Sequence, residues 1–284
     1  MIRFERPQIS MLLIILISGL VLLQMGLSLS HQLGDVPFGQ NTLGYLAELI
    51  SDIWVNHSVF EMLFFLLICF TVYRMLQYIA KQSYLAMKWN LFIKGQVHGK
   101  LTKRWNNKFR TWDETILVLR ESSPLAFAVG FMRPKIVIST GLLDLLSPEE
   151  VKAVLLHERY HCQFRHPLKK WITGLFIKSM EYVPVIKSLG AHFEIWIELQ
   201  ADRYVMKKTN SPLILGSALI KLIKVHNKFQ MVRVSFAEHA INYRLQQIID
   251  PDKPIAATLF TGRCVFISSA VMLVMSMIVM FQCV

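Results

Sequence analysis

Residues 147–161 read SPEEVKAVLLHERYH, and the rest of the chain is best read outward from them. Ser147 suits a helix N-cap, Pro148 suits the first helical position, and Glu149 and Glu150 complement the positive end of the helix dipole. Glu150 also stands three residues after Ser147, the spacing of a capping box. These signals predict a helix from Pro148 to about Phe164, with Pro167 marking its end. Val154, Leu155 and Leu156 supply the apolar side chains that seat it in a core. His157 and His161 are four residues apart, so they share one face and can turn a ring nitrogen toward a single metal ion. Glu158 stands beside them.

HExxH on a helix is a zinc peptidase pattern. The two histidines hold Zn2+, and the glutamate takes a proton from the attacking water and later delivers it to the leaving amine. The competing reading is a pair of core histidines without a metal. A catalytic zinc site needs a third protein ligand and an open position. Glu198, within EIWIELQADRYV at 194–205, is the leading candidate, with Glu194, His192 and His166 as alternatives. Asp202 follows Glu198 by four residues and can orient a ligand histidine through its second ring nitrogen. As plain surface acids, both would instead pair with Arg203 or Lys208. Arg203, His192 and Tyr160 are candidate donors to the oxyanion formed on attack.

Upstream, TILVL at 115–119, AFAV at 126–129 and KIVIS at 135–139 read as short strands. Gly130 and Arg133-Pro134 form a turn between the last two. The edge segment Leu125, Ala126, Phe127, Ala128 and Val129 either pairs with an extended substrate backbone or serves as an ordinary sheet strand. Downstream, helices are predicted at 168–182, 188–207 and 213–226.

The 284-residue chain is 54% hydrophobic and 18% charged, with a mean hydropathy of +0.41. A soluble domain carries about 25% charged residues, so the balance points to a membrane protein. Spans are predicted at about 9–29, 57–75 and 263–284. They divide the chain into an N-terminal membrane region (1–80), a body (81–262) and a C-terminal span (263–284). Arg3 and Arg6 precede the first span. The loop at 31–56 carries Asp35, Glu48 and Asp52 with no Lys or Arg, and Arg74, Lys81, Lys88, Lys94, Lys100, Lys103 and Arg104 follow the second span. The positive-inside tendency places the N-terminus and the body in the cytoplasm and the C-terminus outside a multi-pass cell-membrane protein.

A net charge of +12 raises the question of nucleic acid. Basic residues flanking membrane spans account for it, and no zinc finger, basic zipper or RNA-binding signature is present, which argues against direct nucleic-acid binding. The stretch 81–115 joins basic residues with Trp89, Phe92, Trp105, Phe109 and Trp112, as a connector lying against a lipid surface would. Cys69, Cys162, Cys264 and Cys283 form no CxxC pair, which argues against a cysteine zinc site and a disulfide scaffold. Cys162 follows His161 but points ~100° away around the helix.

Taken together, PLAFAVGFMRPKIVIS at 124–139, SPEEVKAVLLHERYH at 147–161 and ELQADRYV at 198–205 resemble the M56 family of membrane peptidases, the BlaR1/MecR1 type that signals in beta-lactam antibiotic resistance. The resemblance covers roughly residues 115–210. The M48 membrane peptidases related to HtpX and Ste24 have a similar arrangement. The resemblance implies an α+β, mainly helical fold: a multi-span membrane protein with a gluzincin-like zinc metallopeptidase domain and a short sheet. It further implies His157, His161 and Glu198 as zinc ligands, Glu158 as base, Asp202 behind a ligand, and 125–129 as the substrate edge. The implied partner is a protein substrate such as a cytoplasmic transcriptional repressor. The alternatives are a quality-control protease of the M48 kind and a non-catalytic, zinc-stabilised adaptor. Two departures stand out. His166 occupies a place where the family often has Asp, and the sequence has three predicted spans with no external penicillin-binding sensor after the last.

Overall fold

The computed structural model describes residues 7–35, 59–229, 236–251, 253, 255 and 260–282. Most of the acidic loop used in the orientation argument, with Glu48 and Asp52, lies outside these residues, as does Cys283. The described elements run α1 (Pro7–Asp35), α2 (Val59–Gln96), α3 (Gly99–Lys108), β1 (Ile116–Leu119), β2 (Ala126–Val129), β3 (Lys135–Ser139), α4 (Thr140–Leu145), α5 (Pro148–Gln163), α6 (His166–Ser179), α7 (Pro184–Thr209), α8 (Pro212–Phe229), α9 (Phe236–Ile249) and α10 (Gly262–Gln282). The fold is α+β and mainly helical. It divides into two compact units, one of Gln8–Gln82, Thr173–Gly190 and Thr258–Val284, the other of Met1–Pro7, Ser83–Ile172 and Ala191–Ala257.

Pro7–His31, the helix Val59–Gln96 and Gly262–Met280 are each long and apolar enough to cross a membrane, and their apolar parts fall in the first unit. Leu12, Leu16, Phe60, Leu63, Phe266 and Leu273 are exposed on them, as lipid-facing side chains would be. Ile14, Val21 and Met25 of α1, Phe64 and Ile68 of α2, and Met275 of α10 turn inward. They meet Met180, Val183, Val185, Ile186 and Leu189 in one core. That cluster explains why Thr173–Gly190 groups with the three long apolar helices. Two polar contacts link helices within this unit: Gln24 Nε2 donates to Ser276 Oγ at 2.6 Å, and Thr71 Oγ1 meets the Tyr182 hydroxyl at 3.0 Å. The second span belongs to a helix of 38 residues. Apolar character thins after Tyr73, but neither proline nor glycine interrupts the helix before Gly95, so it outlasts its hydrophobic run.

The other unit is built on the sheet β1-β3-β2, with β1 parallel and β2 antiparallel to β3. Gly130, at φ +102°, takes the left-handed turn that only glycine adopts without strain. The outer edge of β1 is closed by its neighbours. The His98 amide donates to the Val118 carbonyl, and Thr102 Oγ1 accepts from the Val118 amide at 3.0 Å. The Asn106 amide both donates to the Ile116 carbonyl and accepts from its N–H, at 2.7 and 3.0 Å. Side chains of α3 therefore continue the ladder of β1, a device that blunts an edge strand. The 81–115 stretch thus contains a sheet-docked helix, and its Trp105, Phe109 and Trp112 pack against the core formed by β1, β3 and α5.

Helix α5 begins as the local signals predict. Ser147 Oγ accepts from the Glu150 amide, and the Glu150 carboxylate accepts from the Ser147 amide. Glu150 also ties α5 to α8, accepting from Ser217 Oγ at 2.6 Å and Lys221 Nζ at 2.8 Å. Burial alone would raise its pKa, but Lys221, Ser217 and the Ser147 N–H outweigh burial and hold it at about 2, below the ordinary 4.5. A depressed carboxyl stabilises the fold above its unfolded pKa and loses that contribution as pH falls toward the folded value. Glu150→Gln is therefore expected to cost about 1–3 kcal/mol at neutral pH. In denaturation curves of the detergent-solubilised chain, the gap between native and variant should be full above about pH 4.5 and should close toward pH 2. A gap that does not change with pH would exclude the ionised network.

Candidate metal centre

Helix α5 carries His157, Glu158 and His161, and α7 carries Glu198 and Asp202 one turn apart on a shared face. His157, Glu158, His161 and Glu198 line a cleft of about 730 Å3, and Asp202 is buried behind it. Segment 123–128 forms one wall. Val154, Leu215, Ala218, Leu219, Leu222 and Ile223 form an apolar wall, and Lys170 and Arg244 bring positive charge to the lining. Glu158 lines the same cleft and is partly open to it.

His157 Nε2 lies 3.1 Å from His161 Nε2 and 3.2 Å from Glu198 Oε2, and His161 Nε2 lies 3.5 Å from Glu198 Oε1. One ligand atom from each of the three residues falls within 4.8 Å of the others, a grouping that could hold a metal ion. The other ring nitrogen of each histidine points outward to a buried partner. His157 Nδ1 stands 2.9 Å from Asp202 Oδ1, at ion-pair distance but out of line for a formed hydrogen bond. His161 Nδ1 stands 2.7 Å from His166 Nδ1. Asp202 is fully buried and is gripped by Arg244 through Nε at 2.7 Å and Nη2 at 2.9 Å.

The charges favour a cation at the centre. Burial would raise the Glu198 carboxyl, but Lys170 above all, then His161 and His157, hold it well below the usual carboxylate range. Burial opposes ionisation of Asp202 as well, and Arg244 overcomes it. Burial and Arg244 would both strip the His157 proton, yet Asp202 and Glu198 raise its pKa to about 9. The half-buried Glu198 and the fully buried Asp202 thus retain positive charge between them. Two imidazole nitrogens and a carboxylate oxygen, with no thiolate, form a donor set that suits a divalent ion such as zinc.

Of the alternatives considered for third ligand, Glu198 joins the histidine pair, Glu194 is exposed, and His192 is buried beside Trp196. His166 stands behind His161, where burial first and then His161 push its pKa down to about 3. Segment Leu125–Ala128 lines the cleft, while Val129 lies beyond its lining. The candidate oxyanion donors are placed elsewhere. Arg203 donates to Gln247 Oε1 at 3.0 Å and covers the Trp196 ring. The Tyr160 hydroxyl donates to Gln200 at 3.2 Å. Burial pushes His192 down to about 4, and none of the three lines the cleft. Arg203 directly follows Asp202, so the helix turns it ~100° off the site-facing side.

Arg244 is the residue that sequence reading missed. Its helix, α9, belongs to a stretch for which no element was predicted. One signal was present: Arg244 is three residues after Ile241 and four before Ile248, a charge on an apolar stripe, and such a charge needs a buried partner.

Residues 93–231, just under half of the chain, match the model of peptidase family M48. The chain is 28% identical over 108 residues to "Regulatory protein BlaR1" of Bacillus licheniformis, covering 37% of this chain and 18% of that protein. It is 29% identical over 148 residues to "Protease HtpX homolog 2" of Methanosarcina mazei, covering 40% of this chain and 50% of that protein. The crystal structure of S. mikatae Ste24p aligns at 17% identity with a TM-score of 0.41, covering 73% of this chain and 66% of that one. The chain spans half or less of the length of the curated relatives it matches. The resemblance is thus to M48- and M56-type membrane metallopeptidases together, not to the M56 type in particular.

Proposed function

We propose that this chain is a membrane-tethered zinc endopeptidase, with His157, His161 and Glu198 holding the metal and Glu158 acting as general base. The observation that carries the reading is the convergence of two Nε2 atoms and one carboxylate beside Glu158, each histidine backed by a buried partner on its other nitrogen. The match to an M48 peptidase model supports it. Zinc, when bound, supplies Lewis acidity toward a water and the scissile carbonyl. Glu158 takes the proton released as water attacks and returns it to the departing amine. Asp202 orients His157, and Arg244 holds Asp202 while presenting Nη1 3.6 Å from Glu198 Oε2.

The substrate is an extended protein segment. Leu125 and Ser139 are hydrogen-bonded partners, so the alternation of an antiparallel ladder sends the N–H and C=O of Ala126 and Ala128 to the outer edge of β2. Among the described residues no further strand pairs with that edge, whereas the β1 edge is closed. A substrate strand added there runs along the cleft, with the apolar wall taking an apolar side chain.

Similarity to a regulatory protein favours cleavage of a cytoplasmic regulator, such as a repressor, by a body facing the cytoplasm. The match to M48 and to an HtpX homologue favours a second reading, a quality-control protease acting on several membrane proteins. Both require the metal. The full chain in detergent is expected to hold one zinc per molecule by elemental analysis, and His157→Ala with His161→Ala to hold none. Stoichiometric zinc in the double variant would remove the assignment.

A further inference from the structure

We propose that His166 is the positioning residue for His161, setting zinc affinity through an imidazole acceptor where His157 has a carboxylate. The inference rests on the zinc-site reading above.

The backbone delivers His166 to this place. On an uninterrupted helix, the residue five after His161 would point ~140° away from it. Helix α5 instead stops at Gln163, Arg165 adopts the left-handed region at φ +50°, and α6 starts at His166. The Arg165 amide closes the turn onto the Cys162 carbonyl at 3.0 Å. His166 thereby swings back to its 2.7 Å contact with His161, and both rings are buried. Tyr160 and Phe164 flank the His166 ring at centroid distances of 5.7 and 6.0 Å, which limits its rotation.

Two ring nitrogens 2.7 Å apart are at hydrogen-bond distance, so one donates a proton to the other, and which one does depends on the tautomer. A metal on Nε2 of His161 leaves that proton on Nδ1, which donates to Nδ1 of His166. His166 then carries its own proton on Nε2. The contact fixes both the tautomer and the ring plane of His161, as the partners of ligand histidines do. The two ligands are therefore backed unequally. Asp202 offers His157 a full negative charge, while His166 offers His161 a neutral lone pair and polarises it less.

The test is zinc affinity by chelator competition on the full-length chain in detergent, with the absorption spectrum of the Co2+-loaded form as a second readout. His166→Ala is expected to bind zinc about 10–100-fold more weakly and to shift the cobalt bands. His166→Phe keeps a ring but has no acceptor, so it should weaken binding equally. His166→Asp restores an acceptor and should match or exceed native affinity. Native affinity in the Ala or Phe variant overturns the proposal, as does an Asp variant as weak as Ala, because ring packing would then be all that His166 supplies. Should the Ala variant fail to fold, Phe and Asp carry the comparison. If the native chain and the His157→Ala/His161→Ala variant bind zinc alike, the metal-site reading itself fails, which is a different result from native-like binding by the His166 variants alone.

Discussion

Glu158→Gln is expected to lower peptide-bond cleavage by about 10²–10⁴-fold while leaving zinc content unchanged. The carboxamide keeps the size and shape of the carboxylate but cannot accept a proton. Glu158 lines the cleft beside the two histidines and is not among the three grouped ligand residues, so the loss should fall on turnover and not on metal. The informative comparison is of new protein N-termini in cells carrying the native chain or the variant at equal membrane abundance. Cuts confined to the native chain establish proteolysis. One cut soluble regulator supports the signalling reading, and many cut membrane proteins support quality control. Identical N-termini in both samples, with an inducing signal supplied, would leave the zinc-stabilised adaptor as the better reading.

What the sequence disclosed is what lies close together along the chain. The capping box of Ser147 and Glu150 spans three residues and the HExxH pair spans four, so propensity and helical spacing were enough to read them. The three strands were legible for the same reason, through short apolar runs bounded by turns, the Gly130 turn among them. Glu198 was harder. Its distance of 41 residues from His157 is closed by tertiary packing, and spacing alone left Glu194, His192 and His166 open. For Thr173–Gly190, the apolar residues fit a membrane-associated helix and a soluble core equally well. Contact with Ile14, Phe64 and Met275 decides between them. The role of α3 was hidden because Thr102 and Asn106 act on backbone groups of β1, and side-chain pattern carries no record of that. His166 read as a departure at a helix end, and only the left-handed Arg165 reveals where its ring is sent.

Arg244→Met is expected to be among the most destabilising single changes at the site, at about 3–5 kcal/mol, because it strands a buried carboxylate. Asp202 is fully buried and receives two hydrogen bonds from the guanidinium, at 2.7 and 2.9 Å. With that partner gone, its remaining charged neighbour is His157, which is a ligand in the proposed site and unavailable as a cation once metal is bound. The double variant Asp202→Asn with Arg244→Met removes the stranded charge, so it should recover most of the lost stability. It should not recover zinc affinity, since an amide backs His157 less strongly than a carboxylate does. Denaturant midpoints and chelator competition on the native chain and these two variants therefore separate two roles that a single substitution confounds. Coupled recovery of both quantities would mean that the pair serves the fold alone. No loss of stability in Arg244→Met would mean that the buried ion pair is not maintained in solution. Stability that returns while affinity stays low is the pattern expected if Arg244 holds Asp202 so that Asp202 can hold His157.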